Sequence, residues 1–334
     1  MTAPLAAGRP RFSVVVPVFN KAPFLPVVVQ SLAAAVRTYG DAELIVVDHC
    51  STDGSSEILT SASPGPEVLV SSARGTIAAA RNEGAALASG SHLCFVDADC
   101  VVPSDYLERV TEVLGTIPAE AVGCKVTLPP GTPWVTEVWD RIHASAQDGY
   151  RPWLCGANLT LGRTLFESVG GFDETLETQE DVELCVRLRE AGCRLWESHR
   201  LAVTHLDNPE SLKGFWRKEA WRARGAFGVR GFWKASRPTL AMYLHVALIG
   251  LGLGQLVAAP WSGTIRFLTL LLLWFAVPIG SVVYRSWRNR KVYRPFCAIA
   301  LYQTYYLARL AALVRRLLTG PRPKRRPSGG LEQK

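Results

Sequence analysis

The chain has 334 residues, of which 48% are hydrophobic and 20% are charged, and its formal net charge is +8. This composition excludes an intrinsically disordered chain, and the length suits one large domain with an appendage. The basic residues crowd after Lys213, which favours a membrane surface over nucleic acid as the partner of that part of the chain. Eight cysteines without metal-site spacing indicate reduced core residues of a cytosolic domain.

Apolar runs alternate with amphipathic segments after an N-terminal tail at residues 1–10. Strands are predicted at 11–18, 44–47, 68–70 and 93–96, and helices at 24–36, 56–59 and 77–88. This alternation predicts an α/β fold with a mainly parallel sheet. In such sheets ligands bind at the carboxyl ends of the strands, where Asn20, Asp48 and Asp97 are predicted to lie.

Two carboxylates, Asp97 and Asp99, follow the strand at 93–96. Side chains alternate along an extended chain, so both should point the same way if the strand continues. Two adjacent like charges are tolerated when a cation lies between them or when one stays protonated. Oxygen ligands suit Mg²⁺ or Mn²⁺. The alternative is that both residues belong to a polar turn after the strand, since Asp is common in turns.

The next part of the chain predicts further strands and helices. Strands are expected at 122–128 and 201–203, and helices at 106–114, 134–146, 163–169 and 180–188, with 134–146 near an acceptor. Glu180 and Asp181 open the last of these helices, where the helix dipole favours acidic residues, so they are either simple caps or functional groups. His205 follows the strand at 201–203 and is either a structural histidine or a ligand.

The C-terminal third of the chain differs in composition from the part before it. Residues 213–237 interleave basic and aromatic side chains, which suits a bilayer surface. Residues 239–259 and 267–284 are uncharged and long enough to span a bilayer as a hairpin. Basic flanks place both outer ends in the cytosol. Residues 296–314 are expected to be interfacial or packed in the bundle, and the basic tail at 319–334 to be disordered.

Several motifs in order resemble family 2 glycosyltransferases of the GT-A fold over about residues 11–206. These motifs are Val14-Val15-Val16-Pro17-Val18-Phe19-Asn20, Val46-Val47-Asp48, Ser51-Thr52-Asp53-Gly54-Ser55, Ala80-Arg81-Asn82-Glu83-Gly84, Phe95-Val96-Asp97-Ala98-Asp99, Gly156-Ala157-Asn158, Gly170-Gly171-Phe172-Asp173 and Glu180-Asp181. The resemblance implies an inverting transferase that uses a nucleotide-diphosphate sugar and a divalent cation, Mg²⁺ or Mn²⁺.

The resemblance also implies roles for individual residues. Asp48 would contact the nucleobase or ribose, and Arg81 would lie near the nucleotide. Asp97 would touch the ribose and the metal shell, and Asp99 would ligate the metal. Asp181 would be the general base that takes the proton of the acceptor hydroxyl.

Other residues complete the expected site. Through their motifs Pro17, Asn20, Asn158 and Glu180 are counted with the substrate-binding residues, and His205 is a further candidate metal ligand. Arg222 and Arg224 are candidates to neutralise the departing diphosphate.

The sequence departs from the family pattern at two places, and the second bears on how many sugars are transferred. His49-Cys50 follow Asp48 where the family often has a second acid. The Gln-x-x-Arg-Trp motif of the processive members resembling cellulose and hyaluronan synthases is replaced by Trp221-Arg222, so transfer of a single sugar is favoured.

The predicted organisation is a catalytic domain at 11–206, a membrane-surface segment at 207–238 and membrane helices at 239–318. The predicted enzyme sits in the inner membrane as a multi-pass protein, with its catalytic domain in the cytoplasm, and acts on a lipid or lipid-linked acceptor.

The alternatives are an inactive membrane scaffold and a nucleotidyltransferase. Nucleotidyltransferases usually begin with a Gly-rich basic phosphate loop, which is missing after the first strand here.

Overall fold

A computed structural model describes residues 11–72, 75–124, 126–143, 147–226, 237–258, 262–290 and 293–319. The predicted tails at 1–10 and 320–334, and part of the predicted membrane-surface segment, lie outside the described residues. The chain divides into two compact units. Within the described residues, the first unit runs to Pro129 and from Gln147 to Asp207, and the second comprises the segments that begin at Pro130 and Asn208.

The first unit is built on a sheet of eight strands with a separate two-stranded ribbon. The strands are β1 (Phe12–Val18), β2 (Ala42–Asp48), β3 (Val68–Ser71), β4 (His92–Val96), β5 (Cys100–Val101), β6 (Ala121–Gly123), β7 (Gly149–Tyr150), β8 (Asn158–Gly162), β9 (Leu195–Glu197) and β10 (Thr204–His205). The sheet order is β3-β2-β1-β4-β8-β6-β9-β7. Four of its seven neighbouring pairs are parallel, so the predicted mainly parallel α/β class is confirmed, and the three antiparallel pairs are β4–β8, β8–β6 and β9–β7.

Helices cover both faces of this sheet. They are α1 (Leu25–Tyr39), α2 (Ser55–Ser61), α3 (Ile77–Leu87), α4 (Tyr106–Thr116), α6 (Arg163–Ser168) and α7 (Glu180–Glu190). Val14 and Val16 of β1 point into the core shared with α1 and α4, whereas Val15 points into the core shared with α3 and α7. A strand buried on both faces explains why β1 reads as a continuous apolar run.

Two predicted strands differ from the structure. The strand predicted at 201–203 is wrong, because His199–Leu201 forms a short 3₁₀ helix and the strand begins at Thr204. This strand, β10, pairs antiparallel with β5, so His205 lies inside a strand, opposite Cys100. The strand predicted at 122–128 is shorter than expected and ends at Gly123.

The second unit is helical. Its helices are α5 (Trp134–His143), α8 (Leu212–Ala226), α9 (Arg237–Ala258), α10 (Gly263–Asn289) and α11 (Pro295–Thr319). The helix α5, which the sequence assigned to the catalytic domain, belongs to this unit because its apolar face packs on α8 and α11. Trp139 carries that contact, with its ring centroid 4.9 Å from that of Phe215 and 5.2 Å from that of Tyr305.

Two of these helices, α10 and α11, are long and apolar enough to cross a membrane by length and composition, and α9 contributes a shorter apolar stretch, Leu240–Leu256. Large apolar side chains such as Leu251, Leu272 and Val283 are more than half exposed on α9 and α10. Exposed apolar surface of this extent marks a site of interaction with a membrane or with another protein. The helix α11, predicted to be interfacial or packed in the bundle, is thus a candidate span by length and composition, whereas the first predicted span, 239–259, falls on the shorter apolar stretch of α9.

Candidate active site

The carboxyl ends of the central strands bring several predicted site residues together in the first unit. The strand β4 ends at Val96, and a turn follows in which the Cys100 N–H donates to the carbonyl oxygen of Asp97 over 3.0 Å. Because the strand ends before Asp97, the condition for Asp97 and Asp99 to point the same way, a continued extended chain, is not met. Instead, each carboxylate binds a different basic side chain.

Asp97 binds Arg81, which extends from α3. The Oδ1 of Asp97 accepts a hydrogen bond of 2.6 Å from one terminal nitrogen of Arg81, and Glu180 accepts one of 2.5 Å from the other. Arg81 is only 1% exposed, and its guanidinium lies 5.4 Å from the ring centroid of Phe172. Burial alone would lower the pKa of Arg81, but the surrounding carboxylates outweigh burial and raise it. The predicted place of Arg81 near the nucleotide stays a prediction, and its guanidinium is held between Asp97 and Glu180.

Glu180 and Asp181 open α7 and differ in environment. Glu180 is buried, and burial raises its pKa to about 7 although the charge of Arg81 opposes that shift. Asp181 is half-buried, and its Oδ2 accepts a hydrogen bond of 2.9 Å from the backbone N–H of Gly156. Its Oδ1 accepts another, of 2.8 Å, from the N–H of Val182. Asp181 is thus the member of the pair that keeps a partly accessible, oriented carboxylate.

Gly156 occupies a tightly packed position, where any side chain would make its neighbours shift. A Cβ at residue 156 would lie 3.0 Å from both terminal nitrogens of Arg81 and 3.1 Å from the Cβ of Asp181. The motif Gly156-Ala157-Asn158 therefore has a steric reason for beginning with glycine. The missing side chain at 156 leaves room for Arg81 and Asp181 to pack close together, and the backbone N–H there orients the Asp181 carboxylate.

Asp99 binds Lys21, a residue that the sequence analysis did not select. The Nζ of Lys21 lies 2.6 Å from the Oδ2 of Asp99 and 2.5 Å from the Oδ2 of Asp207. Burial would lower the pKa of Lys21, but the two carboxylates outweigh burial and raise it. The one signal in the sequence is that Lys21 directly follows Asn20, at the edge where the other site residues were expected.

Asp99, Cys100 and His205 form a candidate metal site, since one donor atom from each lies within 4.8 Å of the others. The ribbon β5–β10 creates this group by placing His205 opposite Cys100, and the Nε2 of His205 lies 3.4 Å from the Oδ1 of Asp99. Burial, with nearby Asp97 and Asp99, raises the pKa of the Cys100 thiol well above its ordinary value.

Asp99 offers this group a carboxylate and His205 an imidazole. This pair fits Mn²⁺ better than Mg²⁺, which takes oxygen ligands. Among the described residues the group does not include Asp97, whose Oδ1 is bound to Arg81.

Asn20 and Asp48 organise the loop after β2. Asn20 has a φ of 51°, which asparagine tolerates, and its Oδ1 accepts a hydrogen bond of 2.8 Å from the N–H of Thr52. Asp48 is 2% exposed, and its two oxygens accept hydrogen bonds from Ser51 and Ser56. The loop thus uses both oxygens of Asp48, and the predicted nucleobase or ribose contact stays a prediction.

Pro17 and Asn158 lie within strands. Pro17 is buried in β1, in register with Val47. Asn158 is fully buried in β8; its Oδ1 accepts a hydrogen bond of 2.6 Å from the Tyr106 hydroxyl, and its Nδ2 donates to the carbonyl oxygen of Leu201. The substrate-binding role predicted for Asn158 is corrected to that of an internal tie, because both ends of its amide are occupied inside the core.

The remaining predicted residues lie in the second unit. Arg222 is paired with Glu219 over 2.7 Å within α8, and Arg224 is exposed on the same helix. Their predicted contact with the diphosphate stays a prediction.

Comparisons with known proteins agree on the family. The family model described as Glycosyl transferase family 2 matches residues 13–156, and that described as Glycosyl transferase family group 2 matches residues 92–308. The succinoglycan biosynthesis protein ExoA of Rhizobium meliloti (strain 1021) is 27% identical over 320 residues, which cover 91% of this chain and 94% of that protein. The glycosyltransferase AglE of Haloferax volcanii is 28% identical over 213 residues, covering 61% of this chain and 70% of that protein.

Solved structures show the same fold. The mannosyltransferase PcManGT from Pyrobaculum calidifontis, in complex with GDP-Man and Mn²⁺, is similar with a TM-score of 0.61 and 21% identity, covering 96% of this chain and 90% of that one. GalNAc-T7 with UDP, GalNAc and Mn²⁺ gives a TM-score of 0.51 at 15% identity, covering 86% of this chain and 59% of that one. The predicted GT-A type of fold is confirmed.

Proposed function

Because this chain belongs to family 2 of the glycosyltransferases, we propose that it transfers one sugar from a nucleotide-diphosphate sugar to a lipid or lipid-linked acceptor, with inversion at the anomeric carbon. The observation that carries the proposal is the placement of Asp181. Its carboxylate is partly accessible, is oriented by the N–H of Gly156 and begins a helix next to Glu180.

The proposed chemistry begins with the acceptor. Asp181 takes the proton of the acceptor hydroxyl as that oxygen attacks the anomeric carbon from the side opposite the diphosphate. The bond between the anomeric carbon and the diphosphate oxygen breaks as the new glycosidic bond forms, which inverts the configuration. The backbone N–H groups of Gly156 and Val182 hold the carboxylate of Asp181 in one orientation during this step.

The departing diphosphate carries negative charge that the site has to neutralise. Asp99 and His205 are the residues that would hold Mn²⁺ or Mg²⁺, and the ion would neutralise that charge. PcManGT and GalNAc-T7, which share the fold, are described with Mn²⁺, which supports the choice of ion. Asp97 lies beside this group on the same turn and is proposed to bind the ribose and the outer metal shell.

The acceptor class rests on the apolar helices of the second unit. An enzyme with helices suited to a membrane, and with basic residues at their flanks, is placed to act on a substrate anchored in the same bilayer. The similarity to a succinoglycan biosynthesis protein over nearly the whole of both chains supports a role in cell-envelope or glycolipid synthesis.

The test is transfer to an extractable lipid. The full chain in nanodiscs of its host's lipids is incubated with radiolabelled UDP- and GDP-sugars, with Mn²⁺ or with a chelator, and the organic phase is counted. We expect label in the lipid fraction only with the cation. Hydrolysis of the donor without lipid labelling would contradict the lipid acceptor, and no reaction with any donor would favour the inactive scaffold.

The proposed topology has spans at 239–259 and 267–284, with the catalytic unit and the C-terminus in the cytosol of the inner membrane. A reporter fused after residue 334, active on one side of the membrane only, tests it. A signal from the cytosolic side supports two spans, whereas a signal from the opposite side shows that α11 also crosses.

A further inference from the structure

We propose that Arg81 is a positioning residue that links the donor side of the active site, at Asp97, to the general base Asp181. The proposal relies on the proposed function only in taking Asp181 as the base. Arg81 itself is 1% exposed and touches no substrate; it acts through the two carboxylates that it holds.

The first link is the double ion pair of Arg81. Its two terminal nitrogens bind Asp97 over 2.6 Å and Glu180 over 2.5 Å, so one planar group joins the end of β4 to the first turn of α7. A guanidinium is rigid and presents its donors in a fixed fork, so it sets the distance between its two acceptors. A lysine has a single ammonium and could not fix both.

The second link runs from the guanidinium to Asp181. Glu180 precedes Asp181 in the chain, and a Cβ at residue 156 would lie 3.0 Å from the terminal nitrogens of Arg81 and 3.1 Å from the Cβ of Asp181, so these three residues are closely packed. The N–H of Gly156 binds the carboxylate of Asp181. A displacement of the guanidinium, transmitted from Asp97 on the donor side, is therefore expected to disturb the group that orients the base.

The alternative is that Arg81 only stabilises the fold. Buried ion pairs contribute little net stability, since desolvation offsets the attraction. A purely stabilising role predicts that variants lose thermal stability but keep the turnover of the folded fraction. A positioning role predicts loss of turnover in protein that is still folded, because displacement of a base by about 1 Å costs roughly 100-fold in rate.

The first experiment compares two isosteric changes on one helix. Glu180→Gln keeps a hydrogen-bond acceptor for Arg81 but removes the charge. Glu183→Gln is the matched control, because Glu183 pairs with Arg187 over 2.6 Å on the same helix, outside the network. We expect Glu180→Gln to lower kcat about 10- to 100-fold with the KM for the donor nearly unchanged, and the control to stay within about twofold. Unchanged kcat in Glu180→Gln would overturn the proposal.

A second experiment does not depend on turnover. Hydrogen exchange of the full chain in detergent is followed with Mn²⁺ and UDP or GDP. In the wild type the nucleotide is expected to slow exchange in α7, at Glu180–Glu190, as well as after β4. Arg81→Lys should keep the slowing after β4 and lose it in α7. Equal protection of α7 in both proteins, or none in the wild type with either nucleotide, would overturn the link.

The third experiment is a double-mutant cycle on the two carboxylates that bind Arg81. Asp97→Asn and Glu180→Gln each remove one partner of the same guanidinium, so their effects on kcat should not multiply. The double variant should be about tenfold more active than the product of the single effects predicts. Multiplicative effects would contradict the link through Arg81, whereas an active Asp181→Asn variant would contradict the proposed base and leave the hydrogen-exchange result standing.

Discussion

The ammonium of Lys21 lies 2.6 Å from the Oδ2 of Asp99, the carboxylate that we propose as a metal ligand. A cation tethered at that oxygen competes with a divalent ion for the same negative charge. We therefore expect Lys21→Met to bind Mn²⁺ about 10-fold more tightly in the absence of nucleotide, since one charge at this distance is worth at least about 1 kcal/mol. Titration followed by electron paramagnetic resonance measures the affinity.

The matched control is Lys213→Met, which removes an exposed lysine in the second unit and should leave the Mn²⁺ affinity unchanged. An affinity in Lys21→Met equal to or weaker than that of the wild type would show that Lys21 does not compete for Asp99.

Asp99 itself is expected to be required for binding of the metal and the nucleotide together. Asp99→Ala should remove Mn²⁺-dependent binding of the nucleoside diphosphate, because it deletes the carboxylate donor next to His205. The fold should persist, since Lys21 keeps its contact with Asp207. Calorimetry with UDP and GDP, with and without Mn²⁺, measures the loss, and thermal unfolding checks the fold. Retained Mn²⁺-dependent binding would exclude Asp99 as a ligand.

The sequence predicted the first strands of the sheet because burial leaves a local pattern. The apolar runs at 11–18 and 44–47 were predicted to be strands, and they lie in β1 and β2, which are interior strands of the sheet. The clustering of polar residues at the carboxyl ends followed from the parallel pairing of these two strands. The placement of His205 did not follow, because the pairing of β10 with β5 depends on contacts between distant segments.

Other parts of the site were hidden for physical reasons. Arg81 was predicted to lie near the nucleotide, but its burial between Asp97 and Glu180 was not predicted, because these partners come from distant parts of the sequence. Lys21 belongs to none of the motifs, and its ion pair with Asp99 joins two loops that are far apart in the sequence. The internal role of Asn158 likewise depends on Tyr106, which no local pattern connects to it.

Gly156 provides a steric test of the site. Gly156→Ala places a methyl group 3.0 Å from the terminal nitrogens of Arg81, so the guanidinium or the base has to shift. We expect kcat to fall about 10- to 100-fold, with a loss of stability of about 1–3 kcal/mol from overpacking. Steady-state kinetics and thermal unfolding measure the two effects.

Gly162→Ala is the control for that variant, because a Cβ at residue 162 meets no atom within 4 Å and the backbone there has an ordinary φ of −62°. Its kcat should equal that of the wild type. Equal loss in both variants would point to a general effect of replacing glycine in the first unit.

The buried carboxyl of Glu180 should make stability depend on pH. Its pKa is raised from 4.5 to about 7 by burial, so between these values the folded protein keeps a proton that the unfolded chain has released. The resulting stabilisation is complete below about pH 4.5 and is lost as the pH rises through about 7. The side chain at position 180 does not titrate in Glu180→Gln, so that variant lacks this pH dependence.

From pH 5 to pH 8 the wild type should therefore lose on the order of 1–3 kcal/mol relative to Glu180→Gln. Unfolding temperatures of both proteins, measured across this range, give the difference at each pH. A constant difference would show that Glu180 is ionised throughout.

The last prediction separates the two acids that open α7. Adjacent residues at a helix start point about 100° apart, so one of them can face the anomeric carbon. Glu180 points to Arg81 and is buried, whereas Asp181 is half-buried and held by the N–H of Gly156. Asp181→Asn keeps the shape and most hydrogen bonding but cannot take a proton, so kcat should fall about 10²- to 10⁴-fold with donor affinity close to that of the wild type.

Glu180→Gln should lose less turnover than Asp181→Asn, because it affects the orientation of the base rather than its chemistry. Near-normal turnover in Asp181→Asn, together with the larger loss in Glu180→Gln, would assign the base to Glu180 instead.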